Sequence, residues 1–269
     1  MVGSRGVTRA TALVLARMGS SRLPGKHLAV VQGRPMIEHL IARVRQARRV
    51  TRIVLCTTTR PADTALVEVA QGAGVEQFRG SELNVLARML GAARQCEAEF
   101  AVVVEADEVC CDWELMDALI ERYDRAPVDY VNLQGVPLGS FLHGVRTTAL
   151  ERVCGLLEDE TKTDDGWNRY FLPEAGLQPP CVTDTLVVND PAYHLPEARL
   201  TLDWPEDLAL IRAIFARLDA PGREPSLREI IALLRREPQL LELNRHRIQA
   251  YAERVAAFAP PRSLGLTGA

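Results

Sequence analysis

The chain has 269 residues, of which 47% are hydrophobic and 25% are charged, and its formal net charge at pH 7 is −3. This length supports one large α/β domain or one domain with an insertion, and the near-neutral charge argues against a nucleic-acid partner. No run of about 18 apolar residues is present, no apolar signal-peptide core is visible, and the six cysteines lack paired CxxC spacing, so we expect no membrane partner and a cytoplasmic protein with reduced thiols.

Strand and helix patterns alternate through the first half of the chain. Short apolar or β-branched runs predict strands at residues 11–16, 52–59, 75–81 and 100–107. Apolar residues at helical spacing predict helices at residues 36–48, 62–74, 82–96 and 113–125. Because this alternation is typical of a mostly parallel sheet with helices on both faces, we predict an α/β fold whose loops after the strands share one sheet edge.

The alternation of strands and helices stops after residue 126, where glycine, proline and acidic residues interrupt the apolar pattern. A strand that ends at Asp203 and an amphipathic helix that begins at Pro205 then resume it. We predict a flexible leader at 1–10, an α/β core at 11–126, a substrate-covering insertion of the same domain at 127–197, a return strand with C-terminal helices at 198–257, and a flexible tail at 258–269.

The segment Leu15–Leu28, LARMGSSRLPGKHL, places glycine, serine and basic residues directly after the first strand. Backbone N–H groups of a glycine-rich turn can approach phosphate oxygens closely. Arg17, Arg22 and Lys26 are too dense for a buried loop unless an anion meets them. The alternative is a solvated basic loop, and in either case we expect Lys26 to be an exposed side chain that contributes little to core packing.

Two acidic residues stand where a parallel sheet exposes its ligand edge. Asp107 and Asp203 each end a predicted strand, so the two carboxylates can converge although they are far apart in the sequence. Mg²⁺ takes carboxylate ligands and keeps several waters. Either acid alone could be a helix cap or a solvated turn residue, and Asp203 could cap the helix that begins at Pro205. Together with the basic loop, they favour a metal-nucleotide site.

The loop ARMGSSRLPGK, followed by GRPMIEHLIARV, resembles the cytidylyltransferase family, which includes CMP-3-deoxy-manno-octulosonate and CMP-sialate synthetases and the SpsF-like spore-coat-polysaccharide proteins. CTTTRPAD, VEQFRGSELNVLARM and RLTLDWPEDLALI resemble the SpsF-like branch in order and spacing. The resemblance implies a Rossmann-like nucleotidyltransferase fold, a homodimer, and a place in surface polysaccharide biosynthesis. It also implies transfer of CMP from CTP to an acidic sugar, with Mg²⁺ and release of pyrophosphate.

Carried over residue by residue, the resemblance assigns a role to each matching position. Catalytic roles fall on Lys26, Arg17, Arg22 and Asp107, and metal binding falls on Asp107 and Asp203. The implied nucleotide-binding residues are Ala16, Arg17, Met18, Gly19, Ser20, Ser21, Arg22, Lys26, Thr57, Thr58, Thr59, Arg79 and Ser81. The threonines and Arg79 could equally be ordinary strand-end and surface residues.

The acceptor side departs from the family pattern. VVEADEVCCD stands where SpsF-like proteins usually read RITGDCPLID, and GSFLHGVR stands where they carry a GLDVEVFS-like stretch. The acceptor is therefore open between a sugar acid and a small phosphorylated or phosphonate metabolite. The candidate acceptor-binding residues are His143, Arg146 and Arg169. A catalytically inactive nucleotide-binding subunit is the third interpretation, and the retention of Lys26, Asp107 and Asp203 argues against it.

Overall fold

The computed structural model describes residues 10–158, 161–163, 166–173, 181–218, 220 and 222–256. Its strands are β1 (Ala10–Leu15), β2 (Val30–Val31), β3 (Arg34–Pro35), β4 (Val50–Thr58), β5 (Glu76–Gly80), β6 (Phe100–Glu105), β7 (Tyr130–Gln134), β8 (His143–Arg146) and β9 (Thr183–Val187). Its helices are α1 (Met36–Val44), α2 (Thr64–Gly72), α3 (Val85–Gln95), α4 (Trp113–Arg125), α5 (Thr147–Cys154), α6 (Pro205–Leu218), α7 (Leu227–Arg236) and α8 (Arg247–Ala256). The predicted tail and all of the predicted leader except Ala10 lie outside the described residues. None of the helices in the described ranges is long and apolar enough to cross a membrane.

One seven-stranded sheet organises the chain, with strand order β5-β4-β1-β6-β8-β7-β9. The β5–β4, β4–β1, β1–β6 and β7–β9 pairs are parallel, whereas β8 runs antiparallel to both of its neighbours. Every residue of the inner strand β1 is buried, which is the pattern of a parallel strand covered on both faces. The predicted mostly parallel sheet is therefore confirmed, with β8 as the exception.

Helices cover both faces of the sheet, as predicted. Successive side chains of β1 point to opposite faces, so Ala12 and Val14 join one core cluster while Leu13 and Leu15 join the other. The first cluster contains residues of α1, α2, α4, α6 and α7, and the second contains residues of α3 and α5. The two cores fix the sheet between helix layers and leave its edges to carry loops.

The region predicted as an insertion, residues 127–197, contributes β7, β8 and β9 to the main sheet and α5 to one of its faces. It also contains a short 3-10 helix, Trp167–Phe171, whose first residue is 2% exposed. Part of this region therefore continues the sheet, and Trp167 reaches the edge where the strands β1 and β6 end.

The predicted return strand at 199–203 is wrong as a strand. Arg199 forms one isolated bridge with Leu138, and the amide of Leu202 donates to the carbonyl of Asp107 at 3.0 Å. Because this extended segment contacts Leu138 at one point and Asp107 at another, it forms no continuous ladder of β-sheet hydrogen bonds with either neighbour. It nevertheless carries Asp203 to the carboxyl edge of β6.

Gly139 permits the close approach of this segment. It has φ +100°, and a Cβ atom built there would lie 1.9 Å from the backbone nitrogen of Thr201. Both the positive φ and the contact exclude a larger residue. The position of the segment that carries Asp203 thus depends on a glycine.

Candidate active site

The loop after β1 is tied at its start to β4 and to the short 3-10 helix Pro61–Asp63 that follows β4. The amide of Ala16 donates to the carbonyl of Cys56 at 3.2 Å, and the amide of Met18 donates to Asp63 Oδ1 at 2.7 Å. Further along, Gly25 adopts φ +69° and leads into a short 3-10 helix, Lys26–Leu28. This left-handed turn brings Lys26 back toward the end of β6.

Lys26 lies between the two predicted carboxylates. Its Nζ is 2.8 Å from Asp107 Oδ2 and 3.3 Å from Asp203 Oδ1. Asp107 follows the end of β6, and Asp203 precedes the first residue of α6. The structure thus brings together residues that are 81 and 177 positions apart from Lys26.

The expectation of an exposed Lys26 is wrong, because its side chain is 8% exposed. Burial lowers the pKa of Lys26, but the charges of Asp107 and Asp203 outweigh that effect and hold the pKa above its ordinary value. For Asp107, burial raises the pKa, and the charge and hydrogen bond of Lys26 outweigh it, so the pKa lies below its ordinary value. Both groups are therefore charged at neutral pH.

Asp203 contacts two further cations. Arg22 Nη2 donates to Asp203 Oδ1 at 2.5 Å, and Arg199 Nη2 donates to Asp203 Oδ2 at 3.0 Å. Arg22 belongs to the loop and also lies over the ring of Trp204, at 4.8 Å from its centroid. Arg199 comes from the opposite side of Asp203 and was not among the predicted site residues.

A pocket opens beside this cluster at the carboxyl edge of the sheet. The predicted site residues that line it are Ala16, Arg17, Gly19, Ser20, Ser21, Arg22, Lys26 and Asp107. The lining residues that are not among the predicted site residues are Leu15, His27, Val85, Arg88, Glu105, Ala106 and Trp167. The loop contributes the cations Arg17, Arg22 and Lys26 to this lining. Trp167, also in the lining, donates from Nε1 to Glu105 Oε1 at 2.8 Å.

The remaining predicted nucleotide-binding residues lie outside the described lining of this pocket. Met18 is partly buried against the core, Thr57 and Thr58 are fully buried at the end of β4, and Thr59 is exposed. Arg79 donates to the carbonyls of Thr58 at 3.0 Å and Arg60 at 2.7 Å, and the amide of Asn84 donates to Ser81 Oγ at 3.0 Å. These contacts brace the ends of β4 and β5, and a role in nucleotide binding stays a prediction.

Asp63 is a structural residue of the site that the sequence did not reveal. It is 1% exposed, accepts the amide of Met18, and accepts a hydrogen bond from Thr58 Oγ1. It therefore links the loop after β1 to the end of β4. The sequence signal was ambiguous, because an aspartate shortly after Pro61 is equally expected at the start of a helix.

Arg88 and His27 are buried polar residues of the pocket wall. Arg88 is 2% exposed, and its Nη1 donates to the carbonyl of Ser81 at 2.6 Å. His27 is 4% exposed, and burial together with the charge of Lys26 lowers its pKa to about 4. No spacing pattern in the sequence marks Arg88 or His27 as a pocket residue. The burial of these two side chains is therefore visible only in the folded chain.

The structure separates the predicted acceptor-binding residues. His143 lies at the pocket end of β8, where Nδ1 is 2.7 Å from the hydroxyl of Tyr130 and the ring meets Trp167 edge-on at 5.1 Å. Burial lowers the pKa of His143 to about 4. Arg169 lies in the same 3-10 helix as Trp167.

The assignment of Arg146 to the acceptor site is wrong. Arg146 pairs with Phe100 at the amino end of β6, whereas His143 pairs with Val103 nearer the carboxyl end. Its Nε donates to the hydroxyl of Tyr123 at 3.2 Å. Because β8 is antiparallel to β6, its last residue points away from the edge that carries the pocket.

The donor set at Asp107 and Asp203 fits a magnesium ion that also binds a nucleotide. Within the described ranges, no group of three or more His, Cys, Asp or Glu side chains could hold a metal ion. Mg²⁺ needs no such cage, since it is commonly held by one or two carboxylates, substrate phosphates and water. The two carboxylates already face one cation, the ammonium group of Lys26, which shows that both can face a single positive charge.

Comparison with solved structures defines the class of fold. The chain superposes with a TM-score of 0.77 on a cytidylyltransferase from Leptospira borgpetersenii, at 20% identity, covering 87% of this chain and 97% of that one. It superposes with a TM-score of 0.58 on CMP:2-keto-3-deoxy-manno-octonic acid synthetase, also at 20% identity, covering 78% and 100% of the two chains. The fold is therefore that of the nucleotidyltransferases.

Sequence comparison gives the family. The family model described as cytidylyltransferase matches residues 11–162, more than half of the chain, which therefore belongs to the cytidylyltransferase family. The chain is 28% identical over 233 residues to the spore coat polysaccharide biosynthesis protein SpsF of Bacillus subtilis, covering 84% of this chain and 94% of SpsF. It is 32% identical over 139 residues to the 3-deoxy-manno-octulosonate cytidylyltransferase of Geobacter sulfurreducens, covering 51% of each chain.

Proposed function

We propose that this protein transfers CMP from CTP to a small acidic acceptor and releases pyrophosphate. The observation that carries the proposal is the meeting of Lys26 with Asp107 and Asp203 beside a pocket lined by Arg17 and Arg22. Such a site presents several positive charges to a triphosphate and two carboxylates to its counterion. Membership of the cytidylyltransferase family supports CTP as the nucleotide.

The loop cations have the role of binding the triphosphate. Arg17, Arg22 and Lys26 all line the pocket, and two of them now pair with Asp203. A nucleotide that enters would offer phosphate oxygens as alternative partners for Arg22 and Lys26. Asp203 would then be released from these two cations while remaining bound to Arg199.

Asp107 and Asp203 would hold Mg²⁺, and the bound ion would neutralise phosphate charge and polarise the α-phosphate. In the reaction, an acceptor oxygen forms a bond to the α-phosphorus, and the bond from that phosphorus to the oxygen bridging to the β-phosphate breaks. Pyrophosphate leaves with the electron pair, and Arg17, Arg22 and Lys26 offset its negative charge. The contribution of the chain is positioning and charge neutralisation, with no covalent enzyme intermediate.

A sugar acid of surface polysaccharide biosynthesis is the first candidate acceptor. The relatives support it, since one is named for spore coat polysaccharide biosynthesis and another for 3-deoxy-manno-octulosonate. A sugar hydroxyl must lose a proton when it attacks phosphorus. The pocket would therefore need either a general base or a metal-lowered pKa for that hydroxyl.

A small phosphorylated or phosphonate metabolite is the second candidate acceptor. His27 lines the pocket and His143 lies beside Trp167, and burial lowers the pKa of each to about 4. Neither imidazole is thus poised as a general base near neutral pH. An acceptor whose phosphate or phosphonate oxygen is already anionic needs no base, which favours this alternative.

Pyrophosphate release tests the proposal directly. The purified chain is offered ATP, CTP, GTP and UTP with MgCl₂, each with a panel of 3-deoxy-ulosonic acids and of small phosphates and phosphonates. We expect release with CTP and with one class of acceptor. Activity with UTP or GTP alone contradicts the choice of nucleotide. Binding of CTP without release from any acceptor contradicts transfer and favours the inactive-subunit interpretation.

We also propose a homodimer as the working form. The outer strand β9 has one unpaired edge among the described residues. Val182, immediately before this strand, and Val187, its last residue, are 59% and 50% exposed. Apolar side chains beside an open strand edge favour contact with another chain. Light scattering coupled to gel filtration should give twice the chain mass of 29.7 kDa, and a mass of one chain contradicts the proposal.

A further inference from the structure

Three buried polar residues lie behind Asp203, on the side away from the loop. Arg199, Asp207 and Asn244 are each 1% exposed, and we call them the Asp203 support network. They come from the segment before α6, from the first turn of α6, and from the end of the 3-10 helix Pro238–Leu243. None of the three lines the pocket as described.

Arg199 connects the network to Asp203. Its Nε is 3.0 Å from Asp207 Oδ1 and its Nη2 is 3.2 Å from Asp207 Oδ2, which is a two-pronged arginine–carboxylate pair. The same Nη2 donates to Asp203 Oδ2 at 3.0 Å. A fully buried guanidinium in a fork of this kind has little rotational freedom, so it fixes where Asp203 Oδ2 points.

Asp207 also fixes the backbone of Asp203. Its Oδ2 accepts the amides of Asp203 and Trp204, each at 3.0 Å. Asn244 Nδ2 donates to Asp207 Oδ1 at 2.8 Å and to the carbonyl of Arg199 at 2.9 Å. The C-terminal segment thereby holds both members of the pair that orients the Asp203 carboxylate.

Asp203 carries an unmatched negative charge once Arg22 and Lys26 pair with a triphosphate instead. Arg199 offers one positive charge to the two carboxylates of Asp203 and Asp207, so one negative charge remains. Oδ2 of Asp203 is occupied from behind by Arg199, and Oδ1 faces Arg22 and Lys26 of the loop. Those two cations are the ones assigned to the triphosphate, and their departure leaves Oδ1 with the charge.

A purely structural role accounts poorly for this arrangement. Burying charged groups carries a large desolvation cost, and a well-packed apolar replacement is often equally stable. This network instead presents one carboxylate oxygen in a fixed orientation and with one net negative charge, which is what the binding of a cation requires.

We propose that Arg199, Asp207 and Asn244 are positioning residues that hold Asp203 Oδ1 toward Arg22 and Lys26 beside the pocket, as a single-oxygen ligand for the divalent cation that accompanies the nucleotide. The proposal rests on the proposed function. It extends the site to the C-terminal segment, because Asn244 acts on the metal only through Arg199 and Asp207.

Binding of Mn²⁺, measured by electron paramagnetic resonance in the presence of saturating CTP, tests this proposal. Asn244→Leu removes both amide donors at similar volume, and Arg199→Lys keeps the positive charge but loses the fork. We expect the Kd for Mn²⁺ to rise at least tenfold in Arg199→Lys, which loses the fork that contacts Asp203, and by a smaller factor in Asn244→Leu, which acts only through Arg199 and Asp207. The KM for CTP at saturating Mn²⁺ should change less than threefold in both variants.

Glu206→Gln is the matched control, because Glu206 lies beside the network and its ion pairs within the described part of the chain are with Arg247 and His246 of the C-terminal segment. Its Mn²⁺ affinity should stay within twofold of the wild-type value. Folded variants of Arg199 or Asn244 with lower thermal midpoints and unchanged Mn²⁺ affinity overturn the positioning role. If the wild-type chain releases no pyrophosphate from any substrate pair, the proposed function fails first, and the two failures are thereby distinguished.

Discussion

Replacement of Lys26 by methionine removes the ammonium group and keeps most of the side-chain volume. Lys26 is buried between Asp107 and Asp203, so the variant leaves each carboxylate with one partner fewer. We expect two separate losses. Pyrophosphate release should fall at least about 100-fold, as when one preorganised donor to a reacting group is removed, and the folded state should become less stable.

The size of the stability loss follows from the surroundings of the two carboxylates. Removing one partner of a buried ion pair costs about 3–5 kcal/mol, and a hydrogen bond to a charged group contributes about 1.5–3 kcal/mol. The Asp107 side chain is 25% exposed and can regain water, and Asp203 keeps Arg22 and Arg199. We therefore expect about 2–3 kcal/mol, which corresponds to a fall in Tm of roughly 4–6 °C for a chain of this size.

The pH dependence of this difference has a defined sign. The pKa of Asp107 in the folded chain lies below its ordinary value of 3.8, so its stabilising contribution is present above about pH 4 and is lost as the pH falls through the folded value. The pKa of Lys26 lies above its ordinary value of 10.5, so its contribution is lost only as the pH rises beyond that. The stability gap between wild type and Lys26→Met should be constant from about pH 5 to pH 10 and narrow outside this range.

Pyrophosphate release and urea unfolding at a series of pH values measure both losses. Lys162→Met serves as the control for stability, because it removes the other lysine of the chain from an exposed position. Its free energy of unfolding should match that of the wild-type chain within about 0.5 kcal/mol. A Lys26→Met variant with wild-type turnover, or with unchanged stability at pH 7, would refute the reasoning.

Three further substitutions test other parts of the account. Asp63→Asn weakens the tie between the loop after β1 and the end of β4, so the KM for CTP in the pyrophosphate assay should rise about tenfold, and an unchanged KM argues against that tie. Arg146→Ala should lower Tm and leave the KM for the acceptor within twofold, whereas a large rise in that KM would return Arg146 to the site. Gly139→Ala places a Cβ atom against the backbone of Thr201 at a residue with a positive φ. We expect no folded protein of this variant in a thermal scan, and a wild-type Tm would contradict the close approach.

The parallel sheet and the meeting of Asp107 with Lys26 could be predicted because they follow from local rules. Continuous apolar runs such as β1 indicate strands buried on both faces, and parallel strands place their following loops at one edge. Asp203 was placed correctly at that edge although its segment is not a strand, since the extended chain delivers it there through isolated contacts with Leu138 and Asp107.

The parts that could not be predicted depend on strand direction and burial. The four residues of β8 carry no signal of their antiparallel orientation, and that orientation decides that His143 faces the pocket edge and Arg146 faces away. Likewise, Lys26 and Arg199 have the sequence appearance of surface cations. Their burial follows from carboxylates contributed by distant segments, which only the folded chain brings together.

The most direct test of the central claim is anomalous diffraction from crystals grown with MnCl₂ and a non-hydrolysable CTP analogue. We expect a manganese peak within coordination distance of carboxylate oxygens of both Asp107 and Asp203, with the triphosphate in contact with Arg17, Arg22 and Lys26. A manganese peak away from either aspartate, or a triphosphate bound elsewhere while Lys26 stays between the two carboxylates, would contradict it.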